Sequence, residues 1–226
     1  MNKNPFRIKI CGIGSAEDAR LATQSGADAV GLNFFVESPR YVTPEAARRI
    51  ASQIPADVWR VGVFVNSDPA NVHDIATHVG LDAIQLHGDE SVEVVVEIAR
   101  HYPVIRAFRC RENGLAEVKR VMASIQERNI QLAGALLDAH VPGQFGGTGQ
   151  KVEWSQLAGL NGFIGGSPLI LAGGLNDTNV GEAIREVRPS AVDTASGVES
   201  APGIKQSTLV KNFVAAAREA FEEPIS

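Results

Sequence analysis

The chain has 226 residues, of which 44% are hydrophobic and 21% charged, and a formal net charge of −5. That balance supplies a sizeable buried core and argues against a nucleic-acid partner held by a basic surface, since no Lys/Arg-rich run offsets it. The 2 cysteines, Cys11 and Cys110, are too few for a disulfide framework and match no zinc spacing. The short N-terminus is polar and lacks an apolar h-region, and no apolar run approaches a membrane span, so we read a soluble protein of the reducing cytoplasm with no membrane partner.

In chain order, residues 7–12 form the first predicted strand, with Ile8 and Ile10 on one face and Arg7, Lys9 and Cys11 on the other. Ser15 caps a helix, with Asp18 three residues on and Gly26 closing it. A strand over 29–35 leads to a helix capped by Thr43 with Pro44 at its first position. A strand over 60–65 precedes a helix opened by Asp68-Pro69. After a strand over 83–88, Val92, Val95, Val96 and Ala99 form an apolar stripe at helical spacing. Strands follow at 104–109, 133–139, 168–173 and 191–194, with Asn176-Asp177 opening a helix after the seventh. The last helix spans about 207–221, and residues 222–226 read as a frayed tail.

Eight strand–helix units without hairpin turns predict a closed parallel (β/α)₈ TIM barrel, one α/β domain over residues 1–226. An open doubly wound sheet is the rival. The strand faces favour the barrel. One face carries Lys9, Cys11, Asn33, Gln85, His87, Asp138 and Asp193, and the other is almost wholly aliphatic. A barrel turns the polar face inward and the aliphatic face toward the helices. Closure also makes the first and eighth strands neighbours, so Lys9 and Asp193 are predicted to form an ion pair beneath the site.

Cys11 ends a strand where barrel enzymes keep their chemistry, and the nearby Lys9 would favour its thiolate. A free cysteine is more often a small buried apolar group, and position is what shifts the reading toward function. Cys110, between Arg109 and Arg111, reads as a bystander. Asp138, after Leu136 and Leu137, is a partly desolvated carboxyl suited to general acid work, with a loop ion pair as the plainer alternative. His140 has a solvent-exposed loop as its default. Glycines cluster after the late strands: Phe145-Gly146-Gly147-Thr148-Gly149, Gly173-Gly174 and Ser196-Gly197. Glycine lets backbone amides approach an anion, and barrels hold phosphate between the loops after strands seven and eight. Arg40, after the rigid Pro39, can offer a planar fork to a carboxylate. Gly12-Ile13-Gly14-Ser15-Ala16-Glu17 imitates a dinucleotide fingerprint, but Glu17 stands where the third glycine belongs, against a nicotinamide cofactor. His73 and His78 fall on an outer helix, so neither a metal nor any cofactor is predicted.

Together, Lys9-Ile10-Cys11-Gly12, Gln85-Leu86-His87-Gly88, Leu137-Asp138, Phe145-Gly146-Gly147-Thr148-Gly149, Leu171-Ala172-Gly173-Gly174-Leu175 and Asp193 through Ser196-Gly197-Val198-Glu199 resemble the phosphoribosylanthranilate isomerase family of tryptophan biosynthesis, over nearly the whole chain. The family's usual Ser-Ser-Gly-Val-Glu begins here with Ala195, which removes one hydroxyl. The resemblance implies an Amadori rearrangement of N-(5-phosphoribosyl)anthranilate. It implies Cys11 as general base, Asp138 as general acid and Arg40 as the contact for the anthranilate carboxylate. Gln85, His87, Gly147, Gly173, Gly174, Ser196 and Gly197 would complete the substrate site. Family members occur as monomers and homodimers. Another phosphosugar isomerase or epimerase barrel, or a non-catalytic phospholigand-binding barrel, is the alternative.

Overall fold

The eight predicted strands pair in parallel and close into a ring. In the computed structural model, which describes residues 6–109, 114–138, 154–160 and 162–223, they are β1 (Ile8–Cys11), β2 (Ala29–Asn33), β3 (Trp59–Phe64), β4 (Ala83–Leu86), β5 (Val104–Arg109), β6 (Gly134–Asp138), β7 (Ser167–Ala172) and β8 (Ala191–Thr194). Each pairs with the next. β8 returns to β1 in the register Ile8↔Val192, Lys9↔Asp193, Ile10↔Thr194, which closes the barrel. Two short additions lie outside the ring: Phe163–Ile164, antiparallel to β7, and a hairpin of Glu199–Ala201 with Ile204–Lys205.

The crossovers are α1 (Ala16–Gln24), α2 (Pro44–Ala51), α3 (Pro69–Val79), α4 (Val92–Ala99), α5 (Gly114–Gln126), α6 (Trp154–Leu157), α7 (Val180–Val187) and α8 (Ser207–Glu222). Ser15, Thr43 and Asp68 accept hydrogen bonds from the amides of Asp18, Ala46 and Ala70, as N-caps do. The start predicted at Asn176-Asp177 is instead a turn. The Asn176 side chain accepts from the amides of Thr178 and Asn179, and this local alternative to helix delays α7 to Val180. At the chain end, Glu222 is helical and Glu223 forks onto Arg185.

Apolar residues fill two shells. Between ring and helices, Ile8, Ile10, Leu32, Phe64, Leu137 and Val192 meet Ala22, Ile50, Val72, Met122, Ile184 and Phe213. Inside the ring lie Ala29, Val61, Ala83, Ile105, Leu136, Ile170 and Ala191, with Phe6 and Trp59 meeting edge-on at 6.5 Å toward the amino-terminal end. The inner face is therefore mixed rather than polar throughout. Its buried polar side chains come from β1, β4 and β8: Lys9, Gln85 and Asp193. Side-chain alternation places these with Cys11 and Asp138 on the inner face, the last two at the carboxyl ends of their strands.

Candidate active site

β1 ends at Cys11 because Gly12, at φ +74°, turns the chain, and the amides of Gly12 and Ile13 both donate to the Gly31 carbonyl at 3.0 and 2.9 Å. Gly31 makes the slot for the thiol: a Cβ there would sit 2.6 Å from Cys11 Sγ. Beneath the thiol, Lys9 is 0% exposed and its Nζ donates to Asp193 Oδ1 at 2.8 Å, the ion pair that closure predicts. Burial works against the Lys9 ammonium, but Asp193 and Cys11 beside it hold its pKa above the ordinary lysine value. For Cys11, burial dominates and pushes the thiol up; Lys9 and Lys205 pull it down, and Asp193 opposes them. Lys9 thus favours the thiolate, as its place on the strand led us to expect, and Asp193 tempers it; burial of the thiol outweighs that help.

Arg40 reaches the same place from the loop after β2. Asn33 accepts from the Phe35 amide and donates to Ser38 Oγ, which in turn accepts from the Arg40 amide. These bonds fold the loop so that the Arg40 side chain lies over Gly12, where a Cβ would collide with it. Its planar fork is engaged: Nε and Nη2 donate to the two carboxylate oxygens of Glu199 at 2.8 and 2.6 Å. That bidentate pair raises the Arg40 pKa further. Glu199 also accepts from Lys205 Nζ at 2.8 Å, and Lys205 donates to the Ala195 carbonyl at 3.0 Å. Glu199 appears in the sequence reading only as part of a motif, and Lys205 does not appear at all. The Pro202-Gly203 turn between them was the available hairpin signal.

Across the mouth, Gln85 Nε2 lies 3.1 Å from His87 Nδ1, while Gln85 Oε1 is buried without a partner among the described residues. Burial lowers the His87 pKa, and Asp138 and Asp193 oppose it, so His87 stands within the field of both carboxylates. The turn after His87 is clamped from behind. Arg106 donates to the carbonyls of Leu86 and Gly88 and to Glu90, while Glu90 accepts from the amides of Gly88 and Asn66. Asp138 is half-buried at the end of β6, in register with Arg109 and Ala172.

The glycine-rich turns after β7 and β8 pack on each other. Gly173 and Gly174 have φ of +94° and +67°, open to residues without a Cβ. Thr194 Oγ1 donates to the Leu175 carbonyl at 2.7 Å, and a Cβ on Gly197 would strike that same carbonyl. Ser196 and Gly197 open a 3₁₀ turn, whose first amides have no acceptor within the turn. Gly147, with its glycine-rich segment, and Cys110 and His140 lie outside the described residues.

A closed parallel barrel with a thiol, a carboxyl and glycine turns at the carboxyl ends of its strands is a (β/α)₈-barrel enzyme. The family model described as N-(5'-phosphoribosyl)anthranilate (PRA) isomerase matches residues 8–216, and the chain belongs to that family. A Geobacter sulfurreducens N-(5'-phosphoribosyl)anthranilate isomerase is 46% identical over 212 residues, covering 94% of this chain and 98% of that one. The crystal structure of phosphoribosyl anthranilate isomerase from Thermotoga maritima superposes with a TM-score of 0.80 at 42% identity, over 95% of this chain and 99% of that one. A further isomerase structure, in complex with reduced 1-(o-carboxyphenylamino)-1-deoxyribulose 5-phosphate, has a TM-score of 0.79 at 40% identity, over 95% and 99% of the two chains.

Proposed function

We propose that the chain isomerises N-(5-phosphoribosyl)anthranilate to 1-(2-carboxyphenylamino)-1-deoxyribulose 5-phosphate, an intramolecular aldose–ketose conversion of tryptophan biosynthesis. The relative that holds a reduced form of this product supports the substrate class. The observation that carries the residue roles is the inward position of Cys11 and Asp138 at the carboxyl ends of two strands on opposite sides of one mouth.

Asp138 protonates the furanose ring oxygen, and the C1–O bond breaks to give an open-chain cationic imine. That charge acidifies the C2 proton, which the Cys11 thiolate removes. The enolamine then loses the proton of its C2 hydroxyl and gains one at C1, giving the ketone. Proton transfers of this kind contribute about 10²- to 10⁴-fold each. Arg40 Nη1, the guanidinium nitrogen not bonded to Glu199, meets the anthranilate carboxylate. The Gln85 amide oxygen, without a partner among the described residues, and His87 take sugar hydroxyls. Backbone amides around Gly173, Gly174, Ser196 and Gly197 hold the phosphate, and the family resemblance adds Gly147. Apart from Gly147, these residues lie among the described residues of a single chain, so monomer and homodimer serve the chemistry equally. A reacting thiol suits the reducing cytoplasm, and among the described residues no helix is long and apolar enough to cross a membrane.

Fluorescence turnover of phosphoribosylanthranilate tests the reading. Cys11→Ala and Asp138→Asn should each cut kcat by about 10²- to 10⁴-fold with little change in thermal unfolding. Full activity in both variants would overturn the assigned roles.

A further inference from the structure

Among the buried cations of the described residues, Lys205 stands next to the site and has no part in the reaction above. Lys205 is the last residue of the hairpin after β8, and its side chain is 0% exposed. Its ammonium bonds the Ala195 carbonyl, which precedes the Ser196-Gly197 turn, and one Glu199 oxygen. The same Glu199 takes both Nε and Nη2 of Arg40. A cation is therefore tied to the cation that the proposed function assigns to the substrate carboxylate, through one shared anion. Arg40 comes from the loop after β2 and Lys205 from beyond β8, so this strut bridges the two strands that flank β1, at the edge of the mouth where Cys11 lies.

We propose that Lys205 is a positioning residue of the active site: its buried ammonium pins Glu199, and Glu199 holds the Arg40 guanidinium in place over Gly12 with Nη1 turned to the substrate. The inference rests on the reading of Arg40 as the carboxylate contact. A bidentate partner on Nε and Nη2 removes the rotational freedom of a long side chain before substrate arrives, which lowers the entropy cost of binding. Glu199, bonded to Arg40 alone, could swing with it; bonded also to a lysine with no exposed surface, it cannot. The ammonium also acts on the thiol. The groups facing Cys11 are Lys9 on its own strand, Asp193 on β8, Arg40 from the loop after β2 and Lys205 from the hairpin. Asp193 neutralises Lys9 and Glu199 is shared by the other two, which leaves a net positive edge on the hairpin side.

Two variants separate positioning from mere packing. Lys205→Met keeps the volume and removes the charge; Glu199→Gln keeps the shape and weakens the hold on Arg40. Steady-state turnover gives kcat and KM. Alkylation of Cys11 by iodoacetamide across pH, read on its own peptide by mass spectrometry, follows the thiol without any turnover. Both variants should raise KM about 10- to 100-fold, with kcat changed less. The alkylation midpoint should rise in Lys205→Met only, because that variant removes a cation near the thiol, whereas Glu199→Gln leaves both Lys205 and Arg40 charged. Parent-like KM in either variant, or a midpoint that rises equally in both, would overturn the proposal. If Lys205→Met does not fold, Glu199→Gln decides through KM. If the parent chain does not turn over phosphoribosylanthranilate, the functional reading fails and the alkylation midpoints alone decide the placement of Lys205.

Discussion

The two walls of the barrel interior are built on different physics. On the β8–β1 wall, Lys9 and Asp193 face each other as a buried ion pair under Cys11. On the β5–β7 wall, Ile105, Ala107, Leu136, Ile170 and Ala172 are aliphatic, with Asp138 above them at the carboxyl end of β6. Burying the pair forfeits hydration that its mutual attraction at best recovers, whereas burying the aliphatic side chains is favourable outright. The fold is thus held largely by the second wall and the outer shell. The first wall keeps charge where the chemistry occurs, in a ring that excludes water from below.

The sharpest way to break this contrast is to leave one charge alone. Asp193→Ala strands the Lys9 ammonium in the interior and should cost about 3–5 kcal/mol in a urea melt. The double variant Lys9→Met/Asp193→Val should recover most or all of that stability and still impair turnover. A double variant as unstable as the single one would mean that the charged wall carries the fold after all. On the aliphatic wall, Leu136→Ala should cost about 2–5 kcal/mol through lost burial and a cavity, while the alkylation midpoint of Cys11 stays where it is.

The smallest effect is on pH dependence. Both Cys11 and Lys9 have pKa values raised in the folded chain, Cys11 through burial and Lys9 because Asp193 and Cys11 outweigh burial. The folded state therefore keeps protons that the unfolded chain has released. Stability from these groups is complete below the unfolded values, about 8.5 for a thiol and about 10.4 for lysine, and falls as pH rises past them. Urea midpoints between neutral and strongly alkaline pH should decline in two stages, and Cys11→Ala should remove the earlier one. An unchanged first stage in Cys11→Ala would show that the thiol does not titrate as its burial requires.

The walls also differ in how far they were legible beforehand. Strand alternation put Lys9, Cys11, Gln85 and Asp193 on the inner face, and ring closure then paired Lys9 with Asp193, because a closed barrel leaves the first and last strands no other neighbours. The apolar inner residues were less legible. Leu136 shares a face with Asp138 and is placed by it, but Ile105 lies on a strand whose arginines, Arg106 and Arg109, fall on opposite faces, so alternation does not orient it. The caps at Ser15, Thr43 and Asp68 were readable because each is a local bond between neighbours in sequence. The Asn176 turn was misread as a helix start because the same side chains serve both.

Sequence alone determined what is local or periodic: eight strands, the helix caps, the inward thiol and carboxyl, and the motif order that marks the isomerase family. Tertiary structure decided what depends on distant charges meeting in low dielectric. Cys11 has its proton held more tightly because burial outweighs the pull of Lys9 and Lys205. Arg40, from the loop after β2, is clamped by Glu199, from the hairpin after β8, and Glu199 is held by Lys205. No local pattern encodes the Arg40–Glu199 bond, which joins residues 159 apart in the chain and forms only when the barrel closes.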